Sequence, residues 1–228
     1  TQTRGSDATG IAGIFDNSNY VGLKNGISAV DFITKNEDKE TSFTGLMNAW
    51  SKLSGRSTNQ RDAKMILGHC RKSSVGNSYN NVNNHPIHID PIVGVHNGTL
   101  QNDDEIFENL ECKRDGQVDS EAVMHLIYKN TEGGKKPFTL EVLKDVANKL
   151  EGAYTVLAAN SNNPYQLAFL RDDRPLEVCL IKKLNMLVLA SEKTFLNRVL
   201  FRYKKMVEVF PQIFKNINTQ WPTLKEKD

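Results

Sequence analysis

Between residues 153 and 190, four short segments, 153–159, 166–170, 176–182 and 185–190, are β-branched or alternate in polarity. They are parted by hairpin-sized gaps holding turn formers: Asn162-Asn163-Pro164, Asp172-Asp173-Arg174-Pro175 and Lys183-Leu184-Asn185. A gap that short joins antiparallel neighbours, whereas a parallel crossover needs about a dozen residues or more. An antiparallel meander is therefore expected, with two further strand-like segments, 64–69 and 91–96, upstream of it.

Other stretches have helical period. Phe43, Leu46, Met47, Trp50 and Leu53 form one apolar stripe; Leu140, Leu143, Val146, Ala147 and Leu150 form a second; Val123, Leu126 and Ile127 belong to a third. Antiparallel strands with helices set apart from them predict an α+β architecture. Residues 72–84 are rich in Ser and Asn and nearly free of apolar side chains, so they read as a loop set between strands, a common seat of function. The length of 228 residues suits one domain over residues 1–200, followed by a C-terminal extension over 201–228. That extension mixes Phe210, Phe214 and Trp221 with six Lys/Arg and three Asp/Glu.

Charge and cysteine usage narrow the class. Lys and Arg number 29 against 27 Asp and Glu, giving +2 with no sustained basic stripe, so neither nucleic acid nor an anionic membrane is the expected partner. No apolar run approaches the roughly 18–20 residues of a membrane span, which leaves a cytoplasmic or otherwise intracellular location as the expectation. Cys70, Cys112 and Cys179 are isolated and odd in number, without zinc-ligand spacing, so neither a disulfide framework nor a metal site is expected.

Four segments carry chemistry-bearing residues: Arg4-Gly5-Ser6-Asp7-Ala8-Thr9-Gly10-Ile11-Ala12, Gly68-His69-Cys70-Arg71, Val95-His96-Asn97-Gly98 and Val118-Asp119-Ser120-Glu121. With Asn84-His85-Pro86, Leu150-Glu151-Gly152-Ala153-Tyr154 and Ala190-Ser191-Glu192 they stand in an order that resembles the class II glutamine amidotransferase domain, one of the N-terminal-nucleophile hydrolases. Each tetrapeptide alone is weak; their succession from residue 4 to about 196 is what carries the resemblance. It implies a four-layer αββα sandwich, L-glutamine as substrate, no cofactor and no metal. It also implies ammonia as product, passed to a separate acceptor enzyme or a larger assembly, or simply released.

The resemblance assigns roles that compete with simpler readings of the same residues. Arg71, on its own a candidate for a surface ion pair, would grip the α-carboxylate of glutamine with its planar fork of donors. Ser74, otherwise a solvated loop serine, would help hold that carboxylate. Asp119, by position a helix N-cap, would accept the α-ammonium. Asn97 and Gly98, by composition a turn at a strand end, would form the oxyanion hole. Arg4 would support the nucleophile's end of the site or form a salt bridge. His69, His85 and His96 lack metal-ligand spacing and are expected to make core or turn hydrogen bonds.

The family's nucleophile is an N-terminal cysteine whose own α-amino group moves the proton. Residue 1 is Thr, three residues before the Arg-Gly block, so the resemblance places the cysteine strand and most of the following helix upstream of this chain. Thr1 would lie on that helix and not on the catalytic strand. Strand alternation turns Cys70 away from Arg71, and a buried, inert thiol is expected there. Two departures stand near the carboxylate end: Lys72 where an aromatic usually follows the Arg, and Val75 where a His is common. They motivate the alternative of an inactive structural or regulatory subunit of a larger assembly.

Overall fold

The computed structural model of the protein describes residues 5–16, 18–35, 42–53, 63–181 and 185–209, with side chains as far as residue 201. Arg4 and residues 210–228 of the aromatic-basic tail, with Phe210, Phe214 and Trp221, lie outside the described residues. The chain divides into two compact units, Thr1–Asp172 and Asp173–Asp228.

The first unit holds two antiparallel sheets. One has the order β2-β1-β3, from Tyr20–Asn25, Ala8–Ile14 and Met65–Arg71. The other has the order β4-β5-β6-β7, from Ile87–Ile89, Ile92–Leu100, Gly152–Asn160 and Asn163–Asp172. Side chains alternate across each sheet, so one face of each can pack on the other. Ala12, Ile14 and Leu67 from the first sheet meet Val93, Val95 and Ala159 from the second. The opposite face of the first sheet is covered by α1 (Ala29–Thr34) and α2 (Phe43–Leu53). Trp50 of α2 lies edge-on to Phe15 and donates its indole N–H to the Val21 carbonyl at 3.3 Å. A Cβ at Gly13 would come within 2.8 Å of the Trp50 ring, so glycine there lets helix and strand close up.

The opposite face of the second sheet packs on α3 (Asp103–Leu110), α4 (Ser120–Asn130) and α5 (Leu140–Ala147). Ile92, Val156, Ala158 and Ala168 meet Val123, Met124 and Ile127, all of them fully or nearly fully buried. The layers are therefore α, β, β, α, as expected. α5 starts at a Thr139 side-chain cap, which accepts from the Val142 N–H at 3.2 Å.

The second unit, among the described residues, is the hairpin β8 (Glu177–Ile181) and β9 (Met186–Ala190) with α6 (Lys193–Val209). Cys179, Ile181, Leu196 and Leu200 form its core. The expected single meander is thus two hairpins: β6 pairs with β7 and β8 with β9, while β8 and β9 form a sheet of their own. The chain leaves β7 through Asp173 in the left-handed region, φ 51°, where ladder pairing does not continue. Residue 200 lies within α6.

Candidate active site

β3 and β5 are in contact, and Arg71, Asn97 and Gly98 on them and Asp119 linked to β5 lie in this region. Arg71 closes β3, whose inward-facing Met65 and Leu67 set the alternation that turns the guanidinium between the sheets. It is 5% exposed, so it is not a surface ion-pair residue. Nη1 donates to Asn84 Oδ1 at 3.0 Å, and Nη2 donates to the Gly76 carbonyl at 3.1 Å and to the Val75 carbonyl. Burial draws its pKa below the ordinary value, opposed by the charges of Asp7 and Asp119, which places both carboxylates within Coulombic reach. Gly5 lies against the Arg71 backbone, where a Cβ would come within 2.3 Å of its carbonyl carbon.

The Ser/Asn-rich loop is an ordered network. Asn84 Nδ2 donates to the Ser78 carbonyl at 2.6 Å while its Oδ1 receives Arg71. Asn83 Nδ2 donates to the Asn77 carbonyl at 2.9 Å, and its Oδ1 accepts from the Gln117 N–H at 2.7 Å. Amide side chains supply here the pairing that a β-ladder would otherwise give the backbone. The link to Gln117 ties the loop holding Arg71 to the turn that leads into α4 and Asp119. Ser74 is exposed on this loop. Its neighbour Ser73 has a buried hydroxyl without a partner, and its N–H is fixed by Asp7 Oδ2 at 2.8 Å.

Asp119 occupies the N-cap position of α4, as expected, but its side chain makes no capping hydrogen bond. Its Oδ2 instead accepts from the Leu100 N–H at 2.8 Å, turning the carboxylate across to β5. The turn before it is fastened by Glu121, whose two oxygens accept from the Asp115 and Gly116 N–H groups at 2.7 and 2.8 Å. Burial works to raise the Glu121 pKa, but hydrogen bonds from His125, Asp115 and Gly116 hold it below the ordinary carboxylate value.

Asn97 and Gly98 do not form a turn, because β5 runs on through them to Leu100, paired with Thr155 and Tyr154 of β6. Asn97 Nδ2 is buried and has no hydrogen-bond partner. Gly98 has φ 149°, and a Cβ there would stand 2.1 Å from the Ala153 carbonyl oxygen, so only glycine fits. An orphaned buried amide beside a glycine backbone is the donor arrangement that stabilises a developing oxyanion.

Behind these residues lie two buried histidines, His85 and His96, and the half-buried His69, whose Nδ1 is buried. The His69 and His85 rings are tilted at 4.3 Å between centroids. Burial lowers the His69 pKa to about 4, helped by His96 and Arg71 and opposed by a hydrogen bond with the His96 backbone. Burial also pushes His85 and His96 down, so all three are neutral near pH 7. No cluster among the described residues has the make-up of a metal site. Cys70 is half-buried and not fully enclosed as expected; it sits opposite Thr9 on the outward side of β3. Burial raises the Cys112 and Cys179 thiols, the opposite of nucleophile activation. Sequence reasoning missed Asn84, Ser73 and the anchoring role of Glu121; the density of Asn at 77–84 was the available signal for the first.

A family described as the glutamine amidotransferase domain matches residues 71–198, more than half of the chain. The isomerizing glutamine–fructose-6-phosphate aminotransferase of Sulfurisphaera tokodaii is 35% identical over 127 residues, 53% of this chain and 21% of that protein. Its counterpart from Buchnera aphidicola subsp. Acyrthosiphon pisum is 26% identical over 205 residues, 88% of this chain and 29% of that protein. The chain spans less than a third of the length of these relatives.

A glutamine phosphoribosylpyrophosphate amidotransferase from B. subtilis superposes with a TM-score of 0.56 at 21% identity, over 85% of this chain and 37% of that one. A structure described as the allosteric regulatory enzyme of purine biosynthesis gives 0.56 at 18% identity, over 96% and 40%. Likeness at that identity speaks for the αββα fold. No helix among the described residues is long and apolar enough to cross a membrane. Sequence match and architecture agree, and the chain belongs to the class II, N-terminal-nucleophile family of glutamine amidotransferase domains.

Proposed function

We propose that the protein binds L-glutamine where β3 and β5 meet and releases ammonia by hydrolysing the side-chain amide. The nucleophile in this reading is the thiolate of an N-terminal cysteine in a segment upstream of residue 1. The thiolate adds to the amide carbon, the C–N bond breaks, ammonia leaves with a proton from the cysteine's α-amino group, and water cleaves the thioester to glutamate. Arg71 and Ser74 take the α-carboxylate, Asp119 takes the α-ammonium, and Asn97 with Gly98 holds the oxyanion; Arg4 supports the nucleophile's end. Ammonia goes to a separate acceptor enzyme or to solution.

The observation that carries this reading is the buried Asn97 Nδ2 without a partner, beside Gly98 at φ 149°. A buried donor left unpaired costs about 1–3 kcal/mol, a cost that binding of an oxyanion offsets. The engagement of Arg71 by Asn84, Val75 and Gly76 favours a second reading, an inactive amidotransferase fold serving a larger assembly. Ammonia release from L-glutamine by the natural polypeptide, with its N-terminal residue read by sequencing, separates the two. In the active form Asn97→Ala lowers kcat about a hundred- to a thousandfold. Unchanged turnover in Asn97→Ala removes the oxyanion assignment, and no turnover by a cysteine-initiated chain leaves the assembly role.

A further inference from the structure

Asp119 is held from two directions, and only one of them is backbone. Oδ2 receives the Leu100 N–H, while Oδ1 lies 3.3 Å from the Ser120 hydroxyl, which donates to it. Ser120 Oγ is 2.9 Å from His96 Nδ1, and His96 Nδ1 is itself 3.7 Å from Asp119 Oδ1. The His96 side chain is 1% exposed, projecting from the helix-facing side of β5 toward the start of α4. A serine hydroxyl has one hydrogen. With that hydrogen on Asp119, the oxygen must accept from His96, so Nδ1 carries a proton; a bare Nδ1 lone pair would also face the carboxylate. His96 Nε2 is then the unprotonated nitrogen, and it is buried without a partner.

We propose that His96 and Ser120 are positioning residues: His96, as its Nδ1–H tautomer, orders the Ser120 hydroxyl, which fixes the Asp119 carboxylate for the α-ammonium of L-glutamine. This rests on the reading of Asp119 as the ammonium acceptor. Each carboxylate oxygen has two lone pairs, and the Leu100 and Ser120 donors occupy one on each, leaving a free pair on both. The Asp119 side chain is 23% exposed, which leaves it open to a ligand. Without the relay the carboxylate is fixed at one oxygen and free to swing about the Leu100 bond. Burial keeps His96 neutral even though Asp119 favours its protonated form, so the relay presents one donor and no added charge.

The test compares L-glutamine with glutaramate, which is glutamine without its α-amino group, by calorimetric titration into the whole chain. Ser120→Ala is expected to weaken L-glutamine about tenfold and to leave glutaramate unchanged, and Ser120→Thr to restore binding. Equal losses on both ligands, or no loss, overturn the proposal, because a general structural role would not distinguish them. If Asp119→Asn leaves L-glutamine binding intact, the ammonium-acceptor reading fails instead. Nitrogen-15 NMR of His96 gives an independent readout that needs no ligand. The Nδ1–H tautomer is expected in the parent and a mixture in Ser120→Ala, and an Nε2–H parent overturns the relay whatever the titrations show.

Discussion

The two faces of the second sheet solve different problems. Toward α3, α4 and α5 it is a hydrocarbon core, with Ile92, Val156 and Ala158 against Val123, Met124 and Ile127 and little solvent reaching any of them. Toward the first sheet the apolar contact is smaller, and past Val95 and Leu67 it gives way to Asn97, Arg71 and His69. Most of the buried polar atoms without partners, at Asn97, His69, His85 and Ser73, lie on or beside these inner strands, while His96 Nε2 and His125 Nε2 lie on the helix side. Close packing of apolar groups yields stability, whereas unpaired polar groups give stability up and leave donors free for a ligand. One strand, β5, serves both layers, because alternate residues along it face opposite ways.

Damage to the apolar contacts of the helix-facing layer, away from Ser120 and Asp119, should therefore register as lost stability without lost ligand affinity. Ile127→Ala removes a fully buried side chain from α4 and is expected to cost about 4 kcal/mol in urea unfolding. The folded fraction should bind L-glutamine with the parent's affinity. A loss of affinity in the folded protein would show that the two layers are coupled.

The inner layer should show itself in acid. His69 titrates at about 4 in the folded chain against an ordinary value of 6.5. Between those values the unfolded chain takes up a proton that the folded chain refuses, so stability falls as pH drops from 6.5 toward 4, by about 3 kcal/mol for this group. His85 is shifted in the same direction and steepens the loss, and His96, on the helix-facing side of β5, adds to it from the other layer. Urea unfolding across that range should have a shallower slope in His69→Leu than in the parent. Identical slopes would mean that His69 already carries its charge when folded.

The helix-facing layer was the more legible in sequence, because it is built from periodicity. The stripes at 123–127 and 140–150 and the β-branched segments at 91–96 and 153–159 all found their places. By contrast, the sequence of β1 does not read as a strand, because Gly10 and Gly13 lower strand propensity while their lack of a Cβ admits the His85 carbonyl and Trp50. Asp119 stands at the N-cap that its type predicts, but the partner of its carboxylate was hidden, because capping preference counts only neighbours in sequence and the donor, Leu100 N–H, comes from another strand. The break between β7 and β8 was hidden for a similar reason: a hairpin-sized gap permits pairing and does not enforce it. Arg71, Asp119, Asn97 and Gly98 were singled out through motif order, while Asn84 and the His96–Ser120 contact join residues 13 and 24 positions apart. No local pattern encodes such contacts.

The smallest expected effect on stability makes the sharpest test of the contrast. Truncating a buried side chain normally costs packing energy, and truncating a hydrogen-bonded amide costs its bond as well. Asn97→Ala removes an amide whose Nδ2 makes no bond, so the packing loss is set against relief of a desolvated donor. The expected change in unfolding free energy is within about 1 kcal/mol of zero, in the same protein where Ile127→Ala costs several times more. A loss of 2–3 kcal/mol or more, on the scale of a broken buried hydrogen bond, would mean that Asn97 holds the fold together and that its amide is not kept free for an oxyanion. The distinction between a layer that stabilises and a layer that acts would then fail at the residue where it is drawn most narrowly.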